Sequence, residues 1–441
     1  MASQSSLSPL KLPTGFGLGG HIPTSITTAP VDATNVDLNL QGSLNPSEEL
    51  MLRAIVESMR GTGETIPNPA VGCLLTQNGR IVAAGATEKL GGRHAERVAF
   101  DNAKKTGIST AGLDAYVTLE PCSHHGRQPP CCELFKAAGI RQLFVSIADP
   151  NPAVNGRGLS FVKSEVQNLH LGLCKPAATA WHLPFLVQQR LSRPLIVGKW
   201  AQTLDGALAD QSGESKWITG PAARAYGHWL RLKYDVTAIG LTTLLLDQPS
   251  LTVRDCWRPN NRQPNICIID ALGEATCDDA RLNTGLEKIL AAAPDRKVAL
   301  ATTCENVGRL RSGVPDLIEI LALPEKTSNP EPLSRARGIQ QFWESQQLEA
   351  WLGRPAQSIF IEGGAKLLSS MLEINALDVM HVFVAPMLLA GEARRLGREE
   401  NPAPKLSSAA HFDVLSTFAL GNDMLVELAA RPLVKEFFSE G

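Results

Sequence analysis

The sequence predicts an α/β protein in two parts, a compact α/β/α domain followed by a larger α/β domain on a mostly parallel sheet. Two observations lead there. Short apolar runs of strand length alternate with amphipathic stretches from about residue 45 to the C-terminus, and parallel strands need such helical crossovers to cover both faces of a sheet. The alternation is interrupted at the turn-forming stretch DPNPAVNGRG, 149–158, and 441 residues are enough for two or three cores at roughly 100 to 200 residues per domain.

Residues 1–43 hold three charged residues, Lys11, Asp32 and Asp37, among many Ser, Thr, Gly and Pro, which reads as a mobile extension. A plastid transit peptide is also Ser-rich and acid-poor but normally carries several arginines, and this stretch has none. A helix is expected to begin after Asn45, where Asn45, Pro46 and Glu48 supply an N-cap, a first-turn proline and a capping-box acid. A hairpin follows, 70–76 and 81–86, about Asn78-Gly79, a pair that accepts the positive φ of a tight turn. Next come a helix over 93–105, a buried strand over 115–119, a helix over 131–138 closed by Gly139, and a strand over 142–147. A helix-prone connector at 177–191 leads to Arg193-Pro194. Beyond it, strands are expected at 195–198, 236–240, 266–269, 298–301, 318–323, 359–361, 379–384 and 424–428, with an antiparallel tail where consecutive strands lack a helix between them. The expected division is an extension 1–43, a first domain 44–150, a connector 151–193 and a second domain 194–441.

Forty-two Lys and Arg against 44 Asp and Glu leave a net charge of −2, which argues against non-specific nucleic-acid binding, since that needs a basic excess. No stretch approaches the roughly 18 to 20 uninterrupted apolar residues of a membrane helix. Nine cysteines, an odd number without a secretory signal, argue against a disulfide framework and for a reducing, cytoplasmic compartment. Plastid targeting by residues 1–43 is the alternative.

The strongest chemical signal is His94-Ala95-Glu96 followed by Pro121-Cys122 and Cys131. One imidazole and two thiolates give Zn²⁺ three protein ligands and leave a fourth position for water, the open arrangement of a catalytic site. Cys132 could take the place of Cys131. His94 and Cys122 each fall near an expected helix start, where the helix dipole favours negative charge. Glu96 lies two residues from a ligand without being one. A proton shuttle beside a zinc-activated water is what hydrolytic deamination of an amino-pyrimidine requires.

The run TLEPCSHHGRQPPCCE (118–133), with eight residues between its outer cysteine ligands, resembles the signature of the bifunctional riboflavin-biosynthesis proteins, pyrimidine deaminase followed by pyrimidine reductase. NPAVGC (68–73), GGRHAE (91–96) and DPNPAVNGRG (149–158) resemble their other deaminase motifs in the same order. The resemblance covers about 45–435 and implies a cytidine-deaminase-like first domain. By position it makes His94, Cys122 and Cys131 the metal ligands, Glu96 the acid/base, Asn68 a substrate-ring contact and Arg127 a contact to the substrate phosphate.

The second half lacks the G-x-G-x-x-G dinucleotide fingerprint. Its 359–365 run, IFIEGGA, leads a strand through two glycines into a helix, and glycines at a helix start let backbone N–H groups approach a phosphate. GKWAQTLDGALA (198–209), SGESKWITG (212–220) and TLLLDQPSLTVR (243–254) resemble, in order, motifs of the riboflavin reductase domain, with a dihydrofolate-reductase-like fold and NADPH as cofactor. That resemblance implies that Ala201, Trp217, Thr243 and Asp247 line the NADPH site. The turn from Gly364 through Ala365, Lys366, Leu367, Leu368 and Ser369 to Ser370 would complete it. Ser215, Arg231, Leu251, Arg254 and Glu362 would contact the substrate, the two arginines suiting its phosphate. Without the resemblance, Trp217 reads as a core aromatic and Arg231 as part of a solvated helix face. Lys199, Asp247 and Glu362 are the polar groups expected nearest the hydride transfer. Where many relatives carry two acids, this chain has Asp247-Gln248.

The function expected is therefore a cytoplasmic two-domain enzyme. Its zinc domain would deaminate the diamino-ribosylamino-pyrimidinone 5′-phosphate of riboflavin synthesis, and its NADPH domain would reduce the ribosyl product to the ribityl form. A homo-oligomer, dimer or tetramer, is expected, with small-molecule substrates and neither nucleic acid nor membrane as partner. A nucleic-acid deaminase is disfavoured by neutral charge and 5% aromatics. A zinc-stabilised binding protein would have no use for Glu96, and a deaminase with a degenerate, non-catalytic reductase-like domain is the remaining alternative.

Overall fold

The computed structural model describes residues 10–11, 36–37, 45–123, 129–151, 155–259, 261–324, 331–391, 393–397 and 409–438. Within the N-terminal extension, β1 (Leu10–Lys11) pairs in parallel with β2 (Val36–Asp37). The chain divides into two compact units, 1–182 with 256–259, and 183–255 with 260–441. No helix among the described residues is long and apolar enough to cross a membrane.

The first unit opens with α1 (Pro46–Ser58), started as expected. The Asn45 side chain accepts from the Glu48 N–H at 2.9 Å, and the Glu48 carboxylate accepts from the Asn45 N–H at 3.0 Å. Strands β3 (Gly72–Gln77) and β4 (Arg80–Ala86) form the hairpin, with Asn78 at φ 51° and Gly79 at φ 76°, both positive as a type I′ turn demands. Helix α2 (Ala95–Lys105) lies so close to β4 that a Cβ at Gly85 would run into the Ala95 carbonyl and the Ala99 nitrogen. Gly85 therefore fixes the depth of the first turn of α2. Strand β5 (Asp114–Leu119) is buried along its whole length, α3 (Cys131–Ala138) ends on Gly139 at φ 63°, and β6 (Gln142–Ile147) follows.

The stretch 151–193, read from sequence as a connector, is more than that. It carries α4 (Arg157–Lys163), β7 (Asn168–Leu171) and α5 (Lys175–Leu191), and β7 pairs in parallel with β6. The sheet order is β4-β3-β5-β6-β7. Strand β7 escaped the sequence reading because NLHL is a short, largely exposed edge strand without an apolar run.

The second unit begins with β8 (Leu195–Thr203), α6 (Pro221–Lys233), β9 (Val236–Gly240) and α7 (Leu241–Asp247). It continues through β10 (Asn265–Asp270), α8 (Ala280–Ala292), β11 (Val298–Thr302), α9 (Cys304–Leu310), β12 (Ile318–Ala322), α10 (Pro332–Trp343) and α11 (Gln346–Leu352). The last elements are β13 (Ser358–Glu362), α12 (Ala365–Glu373), β14 (Val379–Ala385), β15 (Phe412–Leu420), β16 (Asp423–Ala430) and α13 (Arg431–Phe437). One nine-stranded sheet results, in the order β12-β11-β10-β9-β13-β8-β14-β16-β15. It is parallel as far as β14, while β16 and β15 form the antiparallel tail. Strand β15 was not read from sequence, since FDVLSTFAL breaks the period of two at Val414-Leu415 and Ser416-Thr417, where its pairing with β16 is shifted by a bulge.

Both faces of the sheet are covered. In β10, Cys267 and Ile269 join a core with Phe342, Trp343 and Met371, while Ile266 and Ile268 join another with Leu282, Leu286 and Leu310. This two-sided burial explains why the central strands read as continuous apolar runs.

Candidate functional site

In the first unit, the tight seating of α2 makes His94 its N-cap and places Glu96 in its first turn, 4% exposed. Strand β5 runs out through Pro121 to Cys122, and Cys131 is the first residue of α3. The ligand atoms of His94, Cys122 and Cys131 all lie within 4.8 Å of one another. His94 Nδ1 is 3.5 Å from Cys122 Sγ and 3.4 Å from Cys131 Sγ. Cys132 is buried nearby but is not one of the three. Cys122 sits in a loop, not at a helix start of its own. Its sulfur nevertheless accepts from the Cys131 N–H at 3.3 Å, so it meets the first turn of α3 through space.

The Cys131 side chain, by its hydrogen bond, draws the Cys122 thiol well below its ordinary range against the opposing effect of burial, with His94 and the Cys131 N–H helping. Burial raises the Glu96 carboxyl, and the Cys122 charge adds to that effect. One readily ionised thiol, a neighbouring imidazole and a desolvated carboxyl thus share one corner. Asn68 is exposed in the turn before β3, and Arg127 lies outside the described residues. A cavity of ≈ 490 Å³ bordered by Glu57, Arg60 and Glu88 is lined by none of His94, Glu96, Cys122 or Cys131.

Sequence reasoning missed Glu120. Its buried carboxylate accepts N–H groups from Asp149 and Gly156 at 3.1 Å each and from Leu159 at 3.2 Å. It therefore ties the DPNPAVNGRG loop to the strand end that carries Cys122. An acid beside Pro-Cys was the only local signal, and its partners lie 29 to 39 positions away.

In the second unit, three of the expected residues meet. Arg231 donates to Glu362 through Nε at 2.5 Å and Nη2 at 2.8 Å, and through Nη1 to the Thr252 carbonyl at 2.8 Å. Lys199 Nζ is 3.5 Å from the same carboxylate and 5.2 Å from the Phe383 ring centre. Burial alone would raise the Glu362 carboxyl, but the Arg231 and Lys199 charges outweigh it and hold it at about 2. Burial lowers the Lys199 ammonium below the ordinary lysine range. Arg231 is thus neither on a solvated face nor unengaged, since three of its donors are taken.

Asp247 stands apart at the exposed end of α7, its carboxyl raised by partial burial with Lys216 opposing. Trp217 is 68% exposed under the Arg224 guanidinium, 4.5 Å from the ring centre, so it is not a core aromatic. Ser215 is exposed, and Ala201 is half-buried on β8. Leu251 is buried at φ 49°, with its carbonyl held by Arg296 at 2.9 Å, a residue sequence reading did not single out. Arg254 has a half-exposed side chain held by Thr252 Oγ1 at 3.1 Å and Ser250 Oγ at 3.4 Å.

Gly364 (φ 77°) opens α12, and a Cβ there would lie 2.9 Å from Thr243 Oγ1. Only glycine leaves this backbone open, and the first-turn N–H groups of a helix lack helical partners. Ala365, Lys366 and Ser370 remain at least partly accessible. Leu367 and Leu368 turn into the core, and Ser369 is buried with its hydroxyl accepting from the Gly397 N–H at 2.9 Å.

Residues 44–147 match the family model of the cytidine and deoxycytidylate deaminase zinc-binding region, and residues 194–426 match the RibD C-terminal domain. The chain belongs to the RibD family. The riboflavin biosynthesis protein RibD of Actinobacillus pleuropneumoniae is 33% identical, over 86% of this chain and 94% of its own. That of Escherichia coli is also 33% identical, over 86% of this chain and 98% of its own. Among solved structures, a Thermotoga maritima diaminohydroxyphosphoribosylaminopyrimidine deaminase/5-amino-6-(5-phosphoribosylamino)uracil reductase matches with a TM-score of 0.70 at 28% identity, covering 87% of this chain and 99% of that one. Acinetobacter baumannii RibD matches with a TM-score of 0.68 at 29% identity over the same shares. As a RibD protein, the chain is a bifunctional enzyme of riboflavin biosynthesis acting on small molecules. A deaminase domain of the zinc-binding type and a reductase domain follow one another in it.

Proposed function

We propose that the first domain holds one zinc ion through His94, Cys122 and Cys131 and deaminates diamino-ribosylamino-pyrimidinone 5′-phosphate. The second domain then reduces the ribosyl product to its ribityl form with NADPH. The observation that carries the first half is the convergence of one imidazole and two thiols beside the buried carboxyl of Glu96. Two soft donors and one nitrogen donor suit zinc. Bound there, zinc supplies Lewis-acid activation of water. Glu96, desolvated and two residues from His94, takes a proton from the attacking water and returns it to the departing ammonia. Asn68 and Arg127 are proposed to hold the pyrimidine ring and the phosphate.

For the reductase, the glycine-opened start of α12 beside Thr243 is an opening that fits a phosphate of NADPH, and Ala365 and Lys366 offer the N–H groups. Ala201, Trp217 and Asp247 would complete the cofactor site. NADPH supplies a hydride. Lys199 and Glu362 orient the opened ribosyl group and steer its protons, Arg231 holds Glu362 in place, and Arg254 faces the substrate phosphate with Ser215 and Leu251 alongside. The enzyme is proposed to be cytoplasmic and to assemble as a homo-oligomer, dimer or tetramer. The deaminase domain is proposed to run from residue 44 past 150 and β7 into α5, to about His182.

Purified enzyme incubated with the diamino phosphate, with and without NADPH, tests both halves by mass analysis of the products. Ammonia release should be independent of NADPH, and the ribityl compound should form only with it. Glu96→Gln should keep zinc and lose about a hundredfold or more of the ammonia release. Release at the wild-type rate would overturn the mechanism, and absence of NADPH oxidation would leave the second domain a scaffold.

A further inference from the structure

A buried polar cluster of the second unit takes part in none of these steps. Register carries one row of side chains across five neighbouring strands. Glu362 of β13 lies opposite Lys199 of β8, Lys199 opposite His381 of β14, His381 opposite Glu427 of β16, and Glu427 opposite Ser416 of β15. In-register neighbours point to one face, so the row that begins at the Lys199–Glu362 pair continues into the core. There His381 Nδ1 is 3.0 Å from Glu427 Oε1, the Ser416 hydroxyl donates to Glu427 Oε2 at 2.5 Å, and the Tyr234 hydroxyl is 2.8 Å from His381 Nε2. His381 and Glu427 are both 0% exposed.

His381 Nδ1 and Glu427 Oε1 approach to 3.0 Å without completing a hydrogen bond, so the tautomer follows from charge. An ionised Glu427 requires the proton on Nδ1, which leaves Nε2 to accept the Tyr234 O–H, so His381 is neutral. Burial, aided by the Lys233 and Lys199 charges, outweighs the pull of Glu427 and keeps it so. A carboxylate sunk in a sheet is a poor stabiliser compared with apolar packing. Its charge acts on the buried Lys233 ammonium, and register sets it in line with Lys199 two strands away. Arg231 takes up both oxygens of Glu362, so Lys199 has only a shared counter-charge on that side.

We propose that His381 and Glu427 are positioning residues of the reductase, with Glu427, through a neutral His381, supplying the negative charge that keeps the buried Lys199 ammonium protonated. The proposal rests on the reading of Lys199 as a site residue. The charged and titratable groups on the elements packed around Lys199 are Glu362 from β13, His381 from β14 and Glu427 from β16. Strand β16 also carries Asp423 at its start, and helix α6 and its end add Arg224, Tyr226, His228, Arg231, Lys233 and Tyr234. A unit charge about 10 Å away at an effective dielectric of about 20 moves a titration by about one pH unit.

The test is the pH profile of NADPH oxidation at saturating substrate. A lysine that must stay protonated gives an alkaline limb, and Glu427→Gln should move it down by about half to one pH unit, with the KM for NADPH changed less than about twofold and ammonia release intact. Ser416→Ala, which removes no charge, should leave the limb in place. Superimposed wild-type and Glu427→Gln profiles would overturn the proposal. Lys199→Met separates the two readings. If it still reduces, the role of Lys199 fails and the proposal with it; if it is inactive and the Glu427→Gln limb is unmoved, only the proposal fails. Should Glu427→Gln not fold, histidine-selective nitrogen NMR of the wild type decides. An Nδ1–H imidazole that does not titrate between about pH 6 and 9 and whose signals shift in Lys199→Met supports the network, and the lack of one refutes it.

Discussion

The Arg231 guanidinium grips the Glu362 carboxylate through two bonds, with both side chains nine-tenths buried or nearly so. An arginine that the sequence offered as a phosphate contact is thereby committed first to an acid of its own chain. Removing one partner strands a buried charge, so Arg231→Met should destabilise the reductase domain by about 3 to 5 kcal/mol at neutral pH. Glu362 titrates at about 2 in the folded protein against an ordinary 4.5. A depressed carboxyl contributes stability that is present above its unfolded value and lost as pH falls through the folded one. The wild-type advantage should therefore fade between pH 4.5 and about 2, and denaturant unfolding over that range measures it. A loss below about 1 kcal/mol at neutral pH would mean the pair is worth no more than a surface one.

Arg254, half-exposed, is held by the Thr252 and Ser250 hydroxyls and paired with the Asp255 carboxylate at 3.6 Å, a lighter engagement than that of Arg231, and is the arginine proposed to recognise the substrate phosphate. Charge-assisted bonds of this sort are worth on the order of 1.5 to 3 kcal/mol, or roughly ten- to a hundredfold in affinity. Arg254→Lys should weaken binding although charge is kept, because a point charge replaces a fork. Wild type should discriminate against the dephosphorylated substrate and Arg254→Ala much less. Equal discrimination by both proteins would remove Arg254 from the site.

The sulfur geometry separates Cys131 from Cys132. Cys122→Ser and Cys131→Ser should lose about one zinc per chain while Cys132→Ser retains it, since a hydroxyl replaces a thiolate ligand only in the first two. Metal analysis of the three purified variants checks this, and loss confined to Cys132→Ser would reverse the assignment.

Where the deaminase domain ends is also testable. Beyond the 149–158 loop, the Ser146 hydroxyl donates to the Leu173 carbonyl at 2.6 Å, and the Trp181 indole donates to the Ala70 carbonyl at 2.9 Å. A fragment 45–156 loses these bonds, the fifth strand and the buried Trp181, a deficit of about 3 kcal/mol or more from the tryptophan alone. It should be unfolded or insoluble where a fragment 45–192 is folded. Equal thermal stability of the two by circular dichroism would return the stretch to a mere connector.

Local chemistry is what the sequence by itself determined. The capping box at Asn45, the Asn78-Gly79 turn, the Gly139 helix stop and the spacing of His94, Glu96, Cys122 and Cys131 all act within a few residues, or through motifs whose order along the chain is their meaning. The buried strands from β8 to β14 were legible for the same reason, since burial on both faces writes an apolar run into one segment. The tertiary structure alone decided β7 and β15, whose edge positions demand no such run. It alone gave the clamp of Glu120 on Asp149, Gly156 and Leu159, the engagement of Arg231 by Glu362, and the row from Glu362 through Lys199 and His381 to Glu427. The physical reason is that register between strands far apart in the chain is set by the packing of the whole sheet, and a one-residue slip would send every member of that row to the opposite face.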